Sequence, residues 1–558
     1  MSLPPIESTD TDVDRWSDLV RIGFAETIPG SSDHESAVTR VIRWLTEPQF
    51  AAYRPQLVAL IERKAWAQVF DSFCRVLPFG TGGRRGTVGI GPNRFNPWTL
   101  GASVQGHAAF LRQQKPSGPL SVVIAHDVRR FTNQQHLLMD DVPCPVHGMT
   151  SRDFAELAAE IYSAAEIKAI LPPKGTFLST PELSFAIRFL DADGGLNISA
   201  SHNPPDDNGG KFYASTGGQA VAPNDEAMAN CVKDIVWVER MPLDRARAAG
   251  LVEDLPPEVH ESYITTNLRC SKYPKARSAK VVFTSLHGTG KNTVLEVLER
   301  AGFDVTLEPT QSTFDGGFPQ VPFRFPNPEV PDTMERACAL ADACEADLVM
   351  ATDPDADRLG LMVRNLHVDR ATGETRSWRF VSGNEIASLL CHALLNQRTR
   401  VAMPLVIKTE VTSSILERIA RHHGGRVIGH LLVGFKYIGA ALHEIEHEGQ
   451  THRLVASLSD FVLGAEESHG YLITPEIRDK DAAGAALIIA ELASLEKDNG
   501  RTLVHTLRAL WKNVGYVHNE LFSTVMRGVS GRQHMAAIQR QLRESPPTHI
   551  AGRAVTSF

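Results

Sequence analysis

The chain has no surplus of positive charge, few cysteines and no long apolar run, and each lack closes off a class of function. Lysine and arginine total 57 against 65 acidic residues, a formal net charge of −8. The phosphate backbone of a nucleic acid calls for clustered basic residues, so no nucleic-acid partner is expected. Seven cysteines run from Cys74 to Cys391 with no C-x-x-C pair. That fits reduced thiols and argues against a disulfide framework or a paired-cysteine zinc site. No uninterrupted apolar stretch is long enough to span a bilayer. The opening Met-Ser-Leu-Pro-Pro-Ile-Glu-Ser-Thr-Asp has neither the basic nor the apolar segment of a secretion signal. The expectation is a soluble cytoplasmic protein with no membrane partner.

Several familiar motifs are also incomplete. Gly80-Thr-Gly-Gly-Arg-Arg85 starts like a dinucleotide-binding loop, but Arg85 stands where the last glycine belongs. Gly288-Thr-Gly-Lys-Asn292 hints at a nucleotide P-loop, yet Ser285 replaces the leading glycine and Asn292 the Ser/Thr. It reads instead as a strand-end loop with no ATP role. Ser201 has Ser199 and Asn203 in place of the glycines of a nucleophile elbow. Asp353-Pro-Asp-Ala-Asp357 begins like an EF-hand, but Arg358 and Arg364 occupy its glycine and glutamate positions, which excludes a calcium sensor.

What is present is a globular composition, 42% hydrophobic and 22% charged, over a length that suggests three or four domains. Val38, Val41, Ile42 and Leu45, then Leu57, Leu60 and Ile61, recur at helical spacing. Residues 1–75 are therefore expected to be a helical lead-in. Three segments then repeat one plan, a short β-rich run, a small polar residue and a helix: 175–188, 280–298 and 405–416. That alternation indicates α/β domains with mixed, largely parallel sheets. The expected bounds are 76–268, 269–395 and 396–515, with a linker and the start of a further domain over 516–558.

Two loops carry the chemistry. Asn197-Ile-Ser-Ala-Ser-His-Asn-Pro-Pro-Asp-Asp-Asn-Gly-Gly-Lys211 follows an apolar approach and ends in turn formers. By itself it would read as a solvated turn. The second loop places Asp353, Asp355 and Asp357 at alternate positions, which in an extended segment converge on one side. Three close carboxylates repel unless a cation neutralises them, and hard oxygen ligands suit magnesium. Flanking runs at 347–351 and 359–363 are expected as strands. In Pro78–Thr87, backbone amides and Arg85 are suited to an anion.

Together the two loops resemble the α-D-phosphohexomutase family of phosphoglucomutases and phosphomannomutases. The family's phosphoserine loop reads Thr-Ala-Ser-His-Asn-Pro, against Ser199-Ala-Ser-His-Asn-Pro204 here, and its metal loop matches residues 353–358 throughout. The glycine-rich stretch resembles the family's Gly-Thr-x-Gly-x-Arg-Gly segment. Gly464-Ala-Glu-Glu-Ser468 resembles its sugar loop, and Val433–Ile438 a further segment near the substrate. The resemblance covers roughly residues 40–550 and implies three related α/β domains. It implies Ser201 as phosphoryl carrier, Mg2+ on Ser201, Asp353, Asp355 and Asp357, and His202, Lys211 and Arg85 as catalytic groups, with the base left open between His202 and Lys211. It also implies Thr81, Arg85, Asn203, Arg358, Lys436, Glu466 and Ser468 as contacts to a sugar phosphate, with Glu467 in the same loop.

The implied activity is that of a phosphoglucomutase, passing through a bisphosphorylated sugar, in a monomer or weak homo-oligomer. A phosphomannomutase or phosphopentomutase would use the same groups on another sugar, a phosphatase would release phosphate, and a pure sugar-phosphate binder has no need of both loops. Family members carry a fourth domain with an Arg-x-Ser-Gly-Thr-Glu phosphate clamp. Arg527-Gly-Val-Ser-Gly-Arg532 is not that loop, and Ile550–Phe558 reads as an isolated first strand of such a domain. The sequence is therefore expected to be truncated and a weak mutase.

Overall fold

A computed structural model describes residues 10–28, 33–79, 83–368, 375–396, 403–519, 521, 524, 526, 528–550 and 552–555. Three sheets share one design. The first has the strands β1 Gly83–Thr87, β2 Leu120–His126, β3 Ile167–Leu171, β4 Gly194–Ile198, β5 Asp207–Ala214 and β6 Val252–Asp254, in the order β1-β5-β4-β2-β3-β6. The second has β7 Lys280–Thr284, β8 Asp304–Leu307, β9 Leu348–Thr352, β10 Leu359–Val368 and β11 Thr375–Val381, ordered β11-β10-β9-β7-β8. Then come β12 Leu405–Thr409 and β13 Arg426–Leu431, a small hairpin of β14 Gln450–Thr451 and β15 Leu454–Val455, and β16 Phe461–Ala465 with β17 Tyr471–Leu472. The third sheet is β13-β12-β16-β17.

In each sheet the central strands are parallel, and one of them turns back into an antiparallel neighbour. These are β4 into β5, β9 into β10, and β16 into β17. The central strands β4, β9, β12 and β16 are buried along their whole length, as expected of parallel strands covered on both faces. One apolar core, containing Val123, Phe283, Leu361, Ile407 and Leu463, runs without a break through all three sheets.

Helices Asp10–Thr27, His34–Thr46, Arg54–Glu62 and Trp66–Phe73 form the expected lead-in. Val38, Val41, Leu45, Leu57, Leu60 and Ile61 are buried, in one core with Leu100, Val122 and Leu196 of the first domain. The three turned-back pairs fulfil the mixed-sheet expectation.

Three local expectations fail. Residues 175–179 are loop, not strand, because Pro172 and Pro173 stop the ladder after Leu171, and Gly175 turns at φ +85°. Residues 353–357 are a turn, with Ala356 at φ +58°, so the aspartates do not converge by strand alternation. The isolated strand expected from Ile550 is instead half of a pair, β18 His549–Ile550 antiparallel to β19 Arg553–Ala554, after a helix over Gly528–Glu544. Among the described residues, no helix is long and apolar enough to cross a membrane.

Candidate active site

The three turned-back strand pairs bring their loops together. The first loop, residues 199–206 between β4 and β5, is tied down by a buried ion pair that follows β2. Arg129 Nε donates to Asp127 Oδ2 at 3.0 Å, and both side chains are fully buried. Arg129 then reaches the carbonyls of Pro204, at 2.6 Å, and of Ser201. Ser199 Oγ donates to Asp127 Oδ2 at 2.8 Å and accepts from the Ser201 amide at 2.8 Å. Held this way, Ser201 adopts φ +53°, a region an L-residue occupies only when its surroundings impose it. Burial pushes the Asp127 carboxyl up even though Arg129 opposes the shift.

The turn over 353–357 meets that serine. Ser201 Oγ donates to Asp353 Oδ2 at 2.6 Å, and Asp353 Oδ1 accepts from the amides of Asp357 and Arg358 at 3.2 and 3.1 Å. Asp355 Oδ2 accepts from Thr180 Oγ1 at 2.9 Å and from Lys211 Nζ at 3.1 Å. Thr180 is in place because Ser179 caps the helix Thr180–Phe189, its hydroxyl accepting from the Glu182 amide at 3.3 Å. Asp357 Oδ2 lies 3.0 Å from Lys480 Nζ. The loop after β7 supports the turn from beneath. Thr289 donates to the Pro354 carbonyl from its amide at 2.9 Å and its hydroxyl at 3.0 Å, and a side chain at Gly288 would strike Pro354 Cα.

The three carboxylates titrate apart. Burial and the two neighbouring aspartates push Asp353 well up, and burial and Asp355 push Asp357 up. Asp355, although buried, is held below its ordinary value by Lys211 and by the hydrogen bonds it accepts. One ligand oxygen from each lies within 4.8 Å of the others. Asp355 Oδ1 and Asp357 Oδ1 are buried without a hydrogen-bond partner. Orphaned carboxylate oxygens are costly in a buried site, and an oxygen-seeking divalent cation satisfies them. The donor set therefore fits a metal.

The third loop, residues 466–470 between β16 and β17, joins the second. The Leu359 amide donates to the His469 carbonyl at 3.1 Å, and Arg358 bridges Gly470. Glu466 is buried, with its carboxyl pushed up to about 7 by burial against the pull of Lys480 and Arg358. Glu467 accepts from Thr409 and Thr412 at 3.3 and 3.1 Å, and Ser468 is half-buried. Arg358 is paired with Glu329, and exposed Arg85 donates to Asn203 Oδ1. His202 Nδ1 lies 3.5 Å from Ser201 Oγ. Burial, Arg358 and Arg85 push its ring down to about 2, so it is neutral.

Two expected contacts differ. Lys436 is buried and its ammonium is held by Asp225 at 2.9 Å and the Ala220 carbonyl at 3.4 Å. It joins the third domain to the first instead of facing the loops. Thr81, with the glycine amides around it, lies outside the described residues. Sequence reasoning missed Asp127, Arg129, Thr180, Glu329 and Lys480. A signal existed for the first two, since they directly follow the parallel strand β2, and the carboxyl ends of such strands are where α/β sheets place ligands.

Family profiles match the chain in three places: phosphoglucomutase/phosphomannomutase α/β/α domain I over residues 148–238, domain II over 259–366 and domain III over 382–514. The phosphoglucomutase of Staphylococcus epidermidis is 32% identical over 486 residues, spanning 86% of this chain and 81% of that one. The phosphoglucomutase of Staphylococcus haemolyticus is 33% identical over 486 residues, 86% and 80% of the two chains. In structure, a putative phosphomannomutase of Thermus thermophilus matches 81% of this chain and 89% of its own at 22% identity and TM-score 0.60. Parafusin, a phosphoglucomutase of Paramecium, matches 84% and 79% at 18% identity and TM-score 0.56.

Proposed function

The chain belongs to the α-D-phosphohexomutase family and is an isomerase of that class, and from that premise we propose that it interconverts glucose 1-phosphate and glucose 6-phosphate with Ser201 as phosphoryl carrier. The observation that carries this reading is the Ser201 hydroxyl, 2.6 Å from Asp353 within a cluster of three buried aspartates. The choice of glucose rests on the Glu466-Glu467-Ser468 loop and on relatives named phosphoglucomutase.

Asp353, Asp355 and Asp357, with an oxygen of the group on Ser201, would hold magnesium, which when bound withdraws charge from the phosphoryl oxygens. The rest is done by the chain. In the first half-reaction the bond from Ser201 Oγ to phosphorus breaks, a bond from phosphorus to a sugar hydroxyl forms, and that hydroxyl loses its proton. The bisphosphorylated sugar turns end for end. Its other phosphate then returns to Ser201 Oγ and the freed sugar oxygen regains a proton, so the net change is an isomerisation. Phosphoryl transfer of this kind depends mainly on positioning and on opposing charge. Arg85, steadied by Asn203, and Arg358, steadied by Glu329, are suited to the phosphate oxygens. Lys480, between Asp357, Asp479 and Glu466, is suited to the sugar end. His202 is a poor proton acceptor, because burial and two arginines disfavour its charged form. Lys211 donates to the Asp355 carboxylate as an ammonium, so it is assigned the return of a proton to the freed sugar oxygen and takes the hydroxyl proton only in its neutral form.

The test is an assay on glucose 1-phosphate, mannose 1-phosphate and ribose 1-phosphate with a trace of the matching bisphosphate, for wild type and Ser201→Ala. Glucose 1-phosphate should be turned over fastest, and Ser201→Ala should abolish turnover. Near-normal activity in the variant rejects the carrier. A faster rate on mannose or ribose phosphate replaces the substrate, and steady release of inorganic phosphate replaces the reaction.

A further inference from the structure

Away from the active site, a cavity of about 440 Å³ lies between the N-terminal helices and the first domain. That volume suits a small-molecule ligand. Trp44 and Phe50 stack in its wall at 4.3 Å, and Trp98 meets Phe50 edge-on at 5.0 Å. Arg84 of β1 lines it too. Successive side chains of a strand point to opposite faces, so Arg85 reaches Asn203 in the active site while Arg84 turns into the cavity.

The electrostatics of this cavity are unbalanced. Arg84 is only 8% exposed, its Nε is buried without a partner, and Nη1 makes only a long 3.4 Å bond to the Thr99 carbonyl. Burial pushes its guanidinium down to about 10. Arg43, also in the wall, is neutralised by Glu47 at 2.6 and 2.9 Å. Arg40 meets only the Ser36 hydroxyl and the carbonyls of Phe73 and Cys74, and Lys233 meets Asn230. Among the described residues, no carboxylate forms an ion pair with Arg40, Arg84 or Lys233. A buried charge without a counter-charge is costly, and here buried Arg84 shares one aromatic-walled space with half-buried Arg40 and exposed Lys233.

We propose that this cavity binds a small organic anion, with its phosphate or carboxylate held by Arg84 and its flat apolar body packed against Trp44, Phe50 and Trp98. A guanidinium matches either anion in a paired hydrogen-bonding geometry, and an aromatic body suits aromatic walls. The reaction uses none of these groups, so the proposal stands independently of it.

The test is titration of the full chain with phenyl phosphate, benzoate and, as a neutral control, benzyl alcohol. Binding is followed by calorimetry and by tryptophan fluorescence, with glucose 1-phosphate present at saturation. Phenyl phosphate or benzoate should bind, and the tighter of the two identifies the preferred anion. Arg84→Met should weaken that binding by roughly tenfold or more, while Arg85→Met on the same strand should leave it unchanged. Ala229→Trp, which fills the cavity from its wall, should abolish it and decides the matter if Arg84→Met does not fold. The proposal is overturned if binding is unaffected by Arg84→Met or Ala229→Trp, if it depends on Arg85, or if benzyl alcohol binds as well.

Discussion

Glu466 is the residue through which pH acts most directly on the site. Its folded carboxyl is pushed up to about 7 from an ordinary 4.5, so the folded chain holds this proton more tightly than the unfolded one. The stability it contributes is whole below about pH 4.5 and is lost as pH rises through about 7. Glu466→Gln should therefore gain stability relative to wild type across that window, by on the order of 3 kcal/mol at its upper end. Thermal melts of both proteins over the window check this, and a flat difference would mean the carboxyl is not shifted. At this scale much was legible in the sequence. Ser201 and the three aspartates stood in two short loops whose charges and turn formers were visible at once. Asp127 and Arg129 were less so, because only their place just after a strand marks them, and nothing in His126-Asp-Val-Arg129 reveals the bond to a loop some 70 residues away.

Helix Pro257–Arg269 lies between the first domain and the second and carries a second pH-dependent contact. The charged His260 ring donates from Nδ1 to Glu182 at 2.7 Å and from Nε2 to Glu296 at 3.1 Å. The Glu182 bond, against partial burial and with help from Glu296, raises the ring to about 9. The charged ring thus contributes stability that is full below about 6.5 and lost as pH rises through about 9. His260→Gln should cost roughly 1 kcal/mol in the lower range, after allowance for solvent screening, and nothing above the upper one. Denaturant melts at the two extremes measure it, and an equal loss at both would mean packing, not charge. Elements were read well where periodicity decides, as in His34–Thr46, whose buried Val38, Val41 and Leu45 lie on one stripe. They were misread where a turn imitates a strand. Gly175–Ser179 and Asp353–Asp357 are both rich in residues that an extended segment tolerates, and in both a positive φ bends the chain.

For the whole molecule, the question is what holds three sheets in one arrangement. Besides the continuous core, several polar contacts among the described residues cross from the first domain to the third, and ion pairs are among them. Lys436 reaches Asp225, and Arg188 reaches Glu446, which also accepts from Arg478 at 2.7 Å. Removing one partner of a buried pair leaves the other uncompensated, so Lys436→Met should destabilise by about 3 kcal/mol. Asp225→Asn added to it should restore most of the loss, while KM for the sugar phosphate stays constant in both variants. A raised KM that Asp225→Asn fails to repair would return Lys436 to the substrate. Sequence could not separate these roles, because a lysine at the start of a helix such as Lys436–Glu448 looks the same whether it meets a ligand or a distant aspartate.

The hydrogen bond from Ser201 to Asp353 joins two different sheets, and this makes chemical competence a property of assembly. Each domain, taken singly, holds an inert fragment: a hydroxyl, an acidic turn or a pair of glutamates. On the proposed mechanism Ser201 can pass on a phosphoryl group only while the first and second domains stay packed on one core. A change that loosened that packing without touching either loop would then silence the chemistry as surely as losing the serine.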